Sequence, residues 1–108
     1  MAFPVSAALL DFCVLAIVAV HDEYGYSITQ KLQESLSLSE STLYPVLRRL
    51  QQGKLLETYD REFQGRNRRY YRITPAGISQ LDLFRHDWAE HKATIDQLVT
   101  TKGANYES

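Results

Sequence analysis

Cysteine is almost absent from this sequence, because Cys13 is the only one among its 108 residues. A single cysteine excludes an internal disulfide framework and a cysteine-rich zinc site, and it is typical of a reducing compartment. A long apolar run is also missing, since the most apolar stretch covers residues 14–20 and a membrane span needs about 20 residues. The first four residues include no lysine or arginine, unlike a basic-led secretory signal. We therefore expect a cytoplasmic protein with no membrane partner.

The sequence also lacks internal repeats, low-complexity tracts and linkers rich in proline, glycine and serine. Its length is that of one domain, and its 44% hydrophobic and 23% charged residues are close to the average of soluble globular proteins. A wholly disordered chain would have fewer apolar residues and a larger net charge than the −1 found here. One folded domain is therefore predicted.

Basic residues are concentrated in the middle of the chain. Residues 39–72 contain eight basic and four acidic residues, a local charge of +4, whereas the rest of the chain has four basic and nine acidic residues, a charge of −5. A basic segment between acidic ends indicates a surface that binds a polyanion. The alternative is that these charges only solvate a surface.

The first predicted helix covers residues 6–20 and is apolar on nearly every side, with Asp11 as its one clearly polar residue. Such a helix must be covered on more than one side, and a small domain has little material for this. A partner subunit is therefore expected.

The second and third predicted helices are shorter. Gly25 interrupts the pattern of the first helix, and Ser27 is a candidate N-cap for a helix over residues 28–36. Ser39 is a candidate N-cap for a third helix, Glu40–Gln52, which Gly53 is predicted to end as a C′ glycine. The apolar residues predicted to bury these two helices are Ile28, Leu32, Leu43, Val46, Leu47 and Leu50.

Two extended segments follow, over residues 55–62 and 68–73, with residues 63–67 as the intervening loop. This pattern predicts a β-hairpin with a basic tip. Thr74 and Pro75 then mark a cap and a first-turn proline for a long final helix that extends to about Val99.

The final helix has an apolar stripe at alternating spacings of three and four residues. This spacing is typical of helices that pair along a seam, although a core-facing amphipathic helix would also produce it. The residues of the stripe are Leu81, Phe84, Trp88, His91, Ile95 and Leu98.

Three helices, a hairpin and a further helix, in this order, are typical of a winged helix-turn-helix, a mainly α fold with a β-hairpin. We expect the winged helix-turn-helix over residues 1–74, a dimerisation helix over 75–100 and a flexible tail over 101–108. In this fold the third helix enters the major groove of double-stranded DNA and the hairpin, or wing, touches the backbone or minor groove.

The residues expected to face the DNA from the third helix are hydroxylated, aromatic or basic, namely Ser41, Thr42, Tyr44, Pro45, Arg48 and Arg49. Four arginines lie within seven residues of the wing, at Arg66, Arg68, Arg69 and Arg72. Strand alternation directs Arg66 and Arg68 to one face and Arg69 to the other, so that they need not all contact DNA together.

An enzyme is not supported by the sequence. His21, His86 and His91 lack the spacing of metal ligands, and Cys13 in an apolar helix is interpreted as a small hydrophobic residue rather than a nucleophile. No catalytic residue, metal or cofactor is therefore predicted. A winged-helix adaptor that binds proteins instead of DNA remains an alternative, although it would not need this arginine content.

Several motifs closely resemble the PadR family of bacterial transcriptional regulators over about residues 9–100. They are Tyr24-Gly25-Tyr26 with Ile28, residues 42–50 followed by 53–56, and Gly65-Arg66 with residues 69–77. One departure lies at residues 21–23, where the family often has a Gly-Pro turn. The resemblance adds Tyr24, Tyr26 and Gly65 to the candidate DNA-binding residues, with the two tyrosines either contacting phosphates or only packing the turn.

The resemblance also implies a homodimeric repressor on a palindromic operator, released by a small aromatic ligand. The short tail resembles the family branch whose homodimers pair through the last helix, here through Leu81, Phe84, Trp88, Ile95 and Leu98. In some members of the family this ligand is a phenolic acid, and in others it is a cationic multidrug-type compound held between tryptophans of the two final helices.

Trp88 lies at the matching position of the final helix, where it either binds a ligand or only packs an interface. Arg85 and Lys92 flank it on the same side of the helix, which favours an anionic aromatic ligand. If Arg85 pairs with Asp82 and Lys92 pairs with Asp96, the flank is instead nearly neutral.

Overall fold

The computed structural model describes residues 5–100 and confirms a mainly helical fold with a β-hairpin and a long C-terminal helix. The predicted flexible tail, 101–108, lies outside the described residues. The elements in chain order are α1 (Ala7–Val20), β1 (Glu23–Tyr24), α2 (Gly25–Leu36), α3 (Glu40–Gln52), β2 (Leu56–Phe63), β3 (Arg66–Ile73) and α4 (Pro75–Thr100).

Helix α1 lies at the centre of the fold and contacts α2, α3, β3 and α4. Four of its apolar residues are buried, whereas Leu9, Phe12, Cys13 and Ile17 are only partly buried in the single chain, so the partner subunit expected from the sequence stays a prediction. The core residues are Leu10, Val14, Leu15, Val18, Ile28, Leu32, Leu43, Val46, Leu47, Leu50, Leu56, Tyr71 and Leu81. The predicted buried positions of α2 and α3 are all among them.

The three-stranded sheet has the antiparallel order β1-β3-β2. Strand β1, which sequence analysis missed because it is only two residues long, pairs Tyr24 with Tyr70 of β3. The predicted loop over residues 63–67 is wrong, because the hairpin ladder continues to the Phe63–Arg66 pair. Only Gln64 and Gly65 form the turn, with φ of 53° and 78°. Positive φ at both positions is typical of the type I′ turn, whose twist matches that of the strands.

The predicted N-cap of α2 at Ser27 is wrong. The helix begins at Gly25 and its N-cap residue is Tyr24, which makes no capping hydrogen bond through its side chain. Because Tyr24 still belongs to the sheet, the helix begins as soon as the strand ends, three residues earlier than the capping signal indicated.

Helix α3 has Ser39 at its N-cap position, as predicted, but the Ser39 hydroxyl bonds to the hydroxyls of Ser41 and Thr42 at 2.9 and 3.0 Å. Gly53 follows the helix without the left-handed conformation expected of a C′ glycine, since its φ is −78°. Lys54 adopts that conformation instead, with φ of 63°.

The start of α4 is packed tightly against the connection between α3 and β2. The Thr74 hydroxyl accepts a hydrogen bond from the Gly77 N–H at 3.0 Å and donates to the carbonyls of Lys54 and Leu55. A Cβ atom at Gly77 would lie 2.2 Å from the Leu55 carbonyl oxygen and 2.7 Å from a side-chain carbon of Ile73. Glycine at this position is therefore required by close approach of the backbone.

We predict that Gly77→Ala destabilises the protein by about 1–3 kcal/mol, because the new methyl group cannot fit without moving the backbone. Thermal or urea unfolding followed by circular dichroism measures the change. Gly53→Ala is the matched control, since φ at Gly53 suits any residue and its Cβ would meet the nearest atom at 3.4 Å. Equal stability of the two variants would contradict the packing argument.

Candidate nucleic-acid interface

Helix α3 buries one side and exposes the other. With about 100° of rotation per residue, Pro45 and Arg48 lie almost opposite the buried leucines, Tyr44 lies on one flank, and Thr42 and Arg49 lie on the other. All six residues that were predicted to face outward from this helix are exposed, at positions 41, 42, 44, 45, 48 and 49. The exposed surface of α3 therefore has Arg48 near its centre, Tyr44 along one edge, and Thr42 and Arg49 along the other.

The two arginines of α3 differ in their partners. Arg49 forms an ion pair with Asp11 of α1, which brings its guanidinium toward the body of the protein. The side chain of Arg48 has no ion pair or hydrogen bond within residues 5–100. An unpaired arginine on the outward side of the helix is the one with its donors available to a base or a phosphate.

Tyr71 packs the wing against α2, where a Cβ atom at Gly25 would lie 3.0 Å from the Tyr71 ring, and sequence analysis did not select it. Its side chain is buried, with 9% exposure, on the sheet face that packs against the helices. Burial raises the pKa of the Tyr71 phenol, and Arg69 and Arg48 act in the opposite direction because their positive charges are nearby. The strand alternation that separates Arg68 from Arg69 also places Tyr71 on the inner face, and this pattern could have identified it.

The wing has two chemically different faces. Register places Arg66, Arg68, Tyr70 and Arg72 on the outer face of β3, and Arg69 on the inner face with Tyr71. This arrangement agrees with the alternation expected from the sequence.

Two of the four arginines of β3 have carboxylate partners inside the chain. Arg69 lies 3.4 Å from Asp60, and Arg72 lies 2.9 Å from Glu57. The side chain of Arg66, next to the turn, has no ion pair or hydrogen bond in the part of the chain that the structure describes. The positive charge available to a ligand is therefore smaller at Arg69 and Arg72 than at Arg66.

A row of tyrosine rings crosses the outer face of the sheet. The ring centroids of Tyr24 and Tyr26 are 6.1 Å apart, those of Tyr24 and Tyr70 are 5.8 Å apart, and those of Tyr70 and Tyr59 are 5.6 Å apart and nearly parallel. The hydroxyl of Tyr59 donates a hydrogen bond to Asp22 at 2.7 Å, which is the main cause of its raised pKa. The Tyr24 ring thus contacts the rings of both Tyr26 and Tyr70, and it is half-buried, whereas Tyr26 is exposed.

An aromatic groove of about 310 Å³ lies between α1 and α4, on a different part of the molecule. Phe12 approaches Phe84 and Trp88 with ring centroids 5.7 and 6.5 Å apart, and Trp88 lies 6.2 Å from His91. The lining residues are Ser6, Ala8, Leu9, Phe12, Phe84, Asp87, Trp88 and His91. Trp88 is 41% exposed, so its ring is accessible in the single chain.

The charged residue in the wall of this groove is Asp87, and neither Arg85 nor Lys92 lines it. Arg85 lies 3.6 Å from Asp82, which is the neutralising pair considered from the sequence. The corresponding pair of Lys92 with Asp96 is not formed among the described residues. The basic residues Arg85 and Lys92 therefore lie beside Trp88 along α4, but they do not line the groove, whose wall contains the acidic residue Asp87.

The apolar stripe of α4 changes from buried to exposed along the helix. Leu81 is buried in the core and Phe84 is half-buried against Phe12. Ile95 and Leu98, near the other end, are 41% and 68% exposed. Among residues 5–100, the second half of the stripe is thus exposed.

The single thiol of the chain, Cys13, is partly buried in α1. Burial raises the pKa of the Cys13 thiol, which agrees with its interpretation as a small hydrophobic residue. Within residues 5–100, no three histidine, cysteine, aspartate or glutamate side chains are arranged to hold a metal ion. No helix of that range is both long and apolar enough to cross a membrane.

Comparison with known proteins identifies the family. Residues 14–83 match the Transcriptional regulator PadR-like family. A solved structure from Streptococcus mutans UA159 is 45% identical, with a TM-score of 0.86 over 92% of this chain and 93% of that one. A PadR-like transcriptional regulator from Bacillus cereus is 34% identical, with a TM-score of 0.78 over 85% of this chain and 92% of that one.

A transcriptional regulator of Mycobacterium tuberculosis is 41% identical over 69 residues, which are 63% of this chain and 64% of that protein. The family match covers more than half of the chain, including α3 and the whole wing. The chain therefore belongs to the PadR-like family of transcriptional regulators, which act by binding DNA.

Proposed function

We propose that this protein is a homodimeric repressor that binds a palindromic operator and is released by a small aromatic ligand. The observation that carries the DNA-binding part is the pair of unpaired arginines, Arg48 on the outward side of α3 and Arg66 at the wing tip. Arg48 and its neighbours enter the major groove, while Arg66 binds a phosphate or the minor groove.

The remaining candidate residues have graded roles in this proposal. Ser41, Thr42, Tyr44 and Pro45 form the rest of the α3 surface, and Tyr26 and the turn at Gly65 lie at the edges of the interface. Arg49 and Arg69 contribute mainly through the positive potential, because each already has a carboxylate partner. Two copies of α3 in a dimer require inverted half-sites about one helical turn, or a small multiple of it, apart.

We predict that Arg66→Ala weakens binding to all DNA sequences and lowers the salt slope of the binding constant by about one unit, because one phosphate contact is lost. Arg48→Ala or Tyr44→Ala is expected to weaken specific binding by about 1–3 kcal/mol if the residue contacts a base. Fluorescence anisotropy with operator and scrambled duplexes, measured over a salt series, distinguishes the two effects.

Lys31→Ala serves as the control, since Lys31 is an exposed basic residue of α2 that already pairs with Glu23 at 2.9 Å. Unchanged binding by the Arg48, Tyr44 and Arg66 variants would reject α3 and the wing as the interface. Failure of the native protein to bind any fragment of its own genome would instead favour a protein-binding adaptor.

The second half of α4 supports the dimer. The helix has 26 residues, or a length of about 39 Å, and it extends its stripe beyond the contacts with α1. Exposed apolar residues at alternating spacings of three and four are typical of a helix that pairs with a second helix. We infer that Ile95 and Leu98 pack against α4 of a second copy.

We predict that the double variant Ile95→Lys, Leu98→Lys is monomeric or unfolded at micromolar concentration, because charges would lie in the helix seam. Analytical ultracentrifugation measures the mass, and circular dichroism separates loss of pairing from loss of folding. Gln97→Lys, on the opposite side of α4, is the control and is expected to remain dimeric. A monomeric native protein would contradict the proposal.

The aromatic groove supports an effector that stacks on Trp88. Its aromatic wall is formed by Phe12, Phe84 and Trp88, and its acidic side chain is that of Asp87. The carboxylate of Asp87 lines the groove, whereas Arg85 is paired with Asp82 outside it. The groove therefore favours an aromatic cation or amine, and not the aromatic acid that was expected from Arg85 and Lys92 beside Trp88.

We predict that aromatic amines quench Trp88 fluorescence at lower concentration than carboxylic acids of the same ring system. Trp88 is the only tryptophan in the sequence, so the signal reports the groove directly. Asp87→Asn is expected to reduce the preference by up to about fivefold while leaving the folded state unchanged. Tighter binding of the acids would contradict the charge argument, and no quenching by either series would reject the groove as a ligand site.

A further inference from the structure

We propose that Arg61, on the outer face of the wing, binds the sugar–phosphate backbone beside Arg68, and that Phe63 positions Arg68 for this contact. This surface, called the outer wing patch, consists of Arg61, Phe63, Arg66 and Arg68 with the rings of Tyr24 and Tyr70. The inference rests on the proposed DNA binding and adds Arg61 as a phosphate-binding residue and Phe63 as a positioning residue. Neither was selected by sequence analysis.

The first observation is a pair of like charges across the hairpin. Arg61 of β2 and Arg68 of β3 are directly opposite each other, on the same face of the sheet. Directly opposed like charges destabilise an antiparallel pair unless a counter-charge lies between them. None of Arg61, Arg66 and Arg68 has a carboxylate within 4 Å in the range 5–100, so the patch has three uncompensated positive charges.

The second observation is that aromatic rings hold two of these guanidinium groups. The Arg68 guanidinium carbon lies 4.0 Å from the Phe63 ring centroid and 4.5 Å from that of Tyr24. Arg61 lies 5.7 Å from the centroid of Tyr70. A guanidinium group that stacks on rings through its faces keeps its in-plane N–H donors available, and these donors match phosphate oxygens.

Such stacking also restricts the arginines before DNA binds. Because the rings have already reduced their rotamer freedom, less conformational entropy is lost when a phosphate is bound. Phe63, which is 43% exposed at the end of β2, therefore orders Arg68 without contacting the phosphate itself.

The occupant favoured by these features is the backbone of the bound duplex. The patch is positively charged, it is continuous with Arg66 at the tip through the outer face of β3, and its arginines differ from Arg69 and Arg72 in having no internal carboxylate. A phosphate between Arg61 and Arg68 would supply the missing counter-charge.

The discriminating variant is Arg61→Glu. It would place a carboxylate opposite Arg68 and remove the repulsion between the two strands, so the melting temperature is expected to stay the same or rise. DNA affinity is expected to fall in the same protein, because one phosphate contact is replaced by a negative charge. Arg61→Ala is expected to lower the salt slope by about one unit. If Arg61 had only a structural role, Arg61→Glu would not change the melting temperature and the DNA affinity in opposite directions.

The role of Phe63 is tested by a double-mutant cycle with Arg68. We expect Phe63→Ala to remove most of the effect of Arg68→Ala on DNA affinity, because an unstacked Arg68 is no longer held in place. Phe63→Tyr keeps the ring and is expected to bind DNA like the native protein. Additive effects of Phe63→Ala and Arg68→Ala would overturn the positioning role.

The matched control is the double variant Glu57→Ala, Arg72→Ala, which removes a neutral ion pair from the same sheet face and is expected to keep the native salt slope. If Arg61→Glu binds DNA like the native protein while Arg48→Ala and Arg66→Ala weaken binding, the outer wing patch is overturned and the proposed function stands. If Arg61→Glu changes the sedimentation of the protein and not its DNA affinity, the patch contacts a second copy, and the proposal is likewise overturned.

Discussion

Burial of α1 is the constraint on which the rest of the structure depends. Val14, Leu15 and Val18 are enclosed by the neighbouring elements, and α2, α3, β3 and α4 all contact this one helix. The same helix pairs with α3 through Asp11 and lines the aromatic groove through Phe12. Because protein interiors are close-packed, the groove and the DNA-facing helix are held in relation to one another by a single rigid element. The candidate effector site and the candidate DNA site are therefore both connected to α1, although they lie on different surfaces of the protein.

Arginine content and available positive charge are different quantities in this protein. The basic middle segment includes Arg49, Arg69 and Arg72, and each of them is neutralised by an acidic residue of the same chain. Arg48 and Arg66 have no such partner among residues 5–100, and neither does the ring-stacked Arg68. The surface with unpaired positive charge is consequently smaller than the arginine content suggests. It lies on the exposed side of α3 and on the outer face of the hairpin.

Local signals predicted the elements well and their ends less well. Apolar spacing in α3 and strand alternation in the wing predicted which side chains are buried, since both depend only on the geometry of a single element. Ser27 was chosen as a cap because serine favours that position, but pairing of Tyr24 with the sheet determined where α2 begins. The wing turn was predicted to be too long, because the ladder continues through polar residues that have no apolar alternation to mark a strand.

The sequence by itself determined the order of the elements, the buried faces of the helices, the basic middle of the chain and the family motifs, because each of these is set by residue type and spacing along the chain. The tertiary structure decided which charges are free, that Asp87 rather than Arg85 lines the groove, and that Arg61 and Arg68 face each other across the hairpin. These features depend on contacts between residues distant in sequence, such as the 38-residue separation of Asp11 and Arg49. Such contacts exist only after the helices and the sheet have packed around α1.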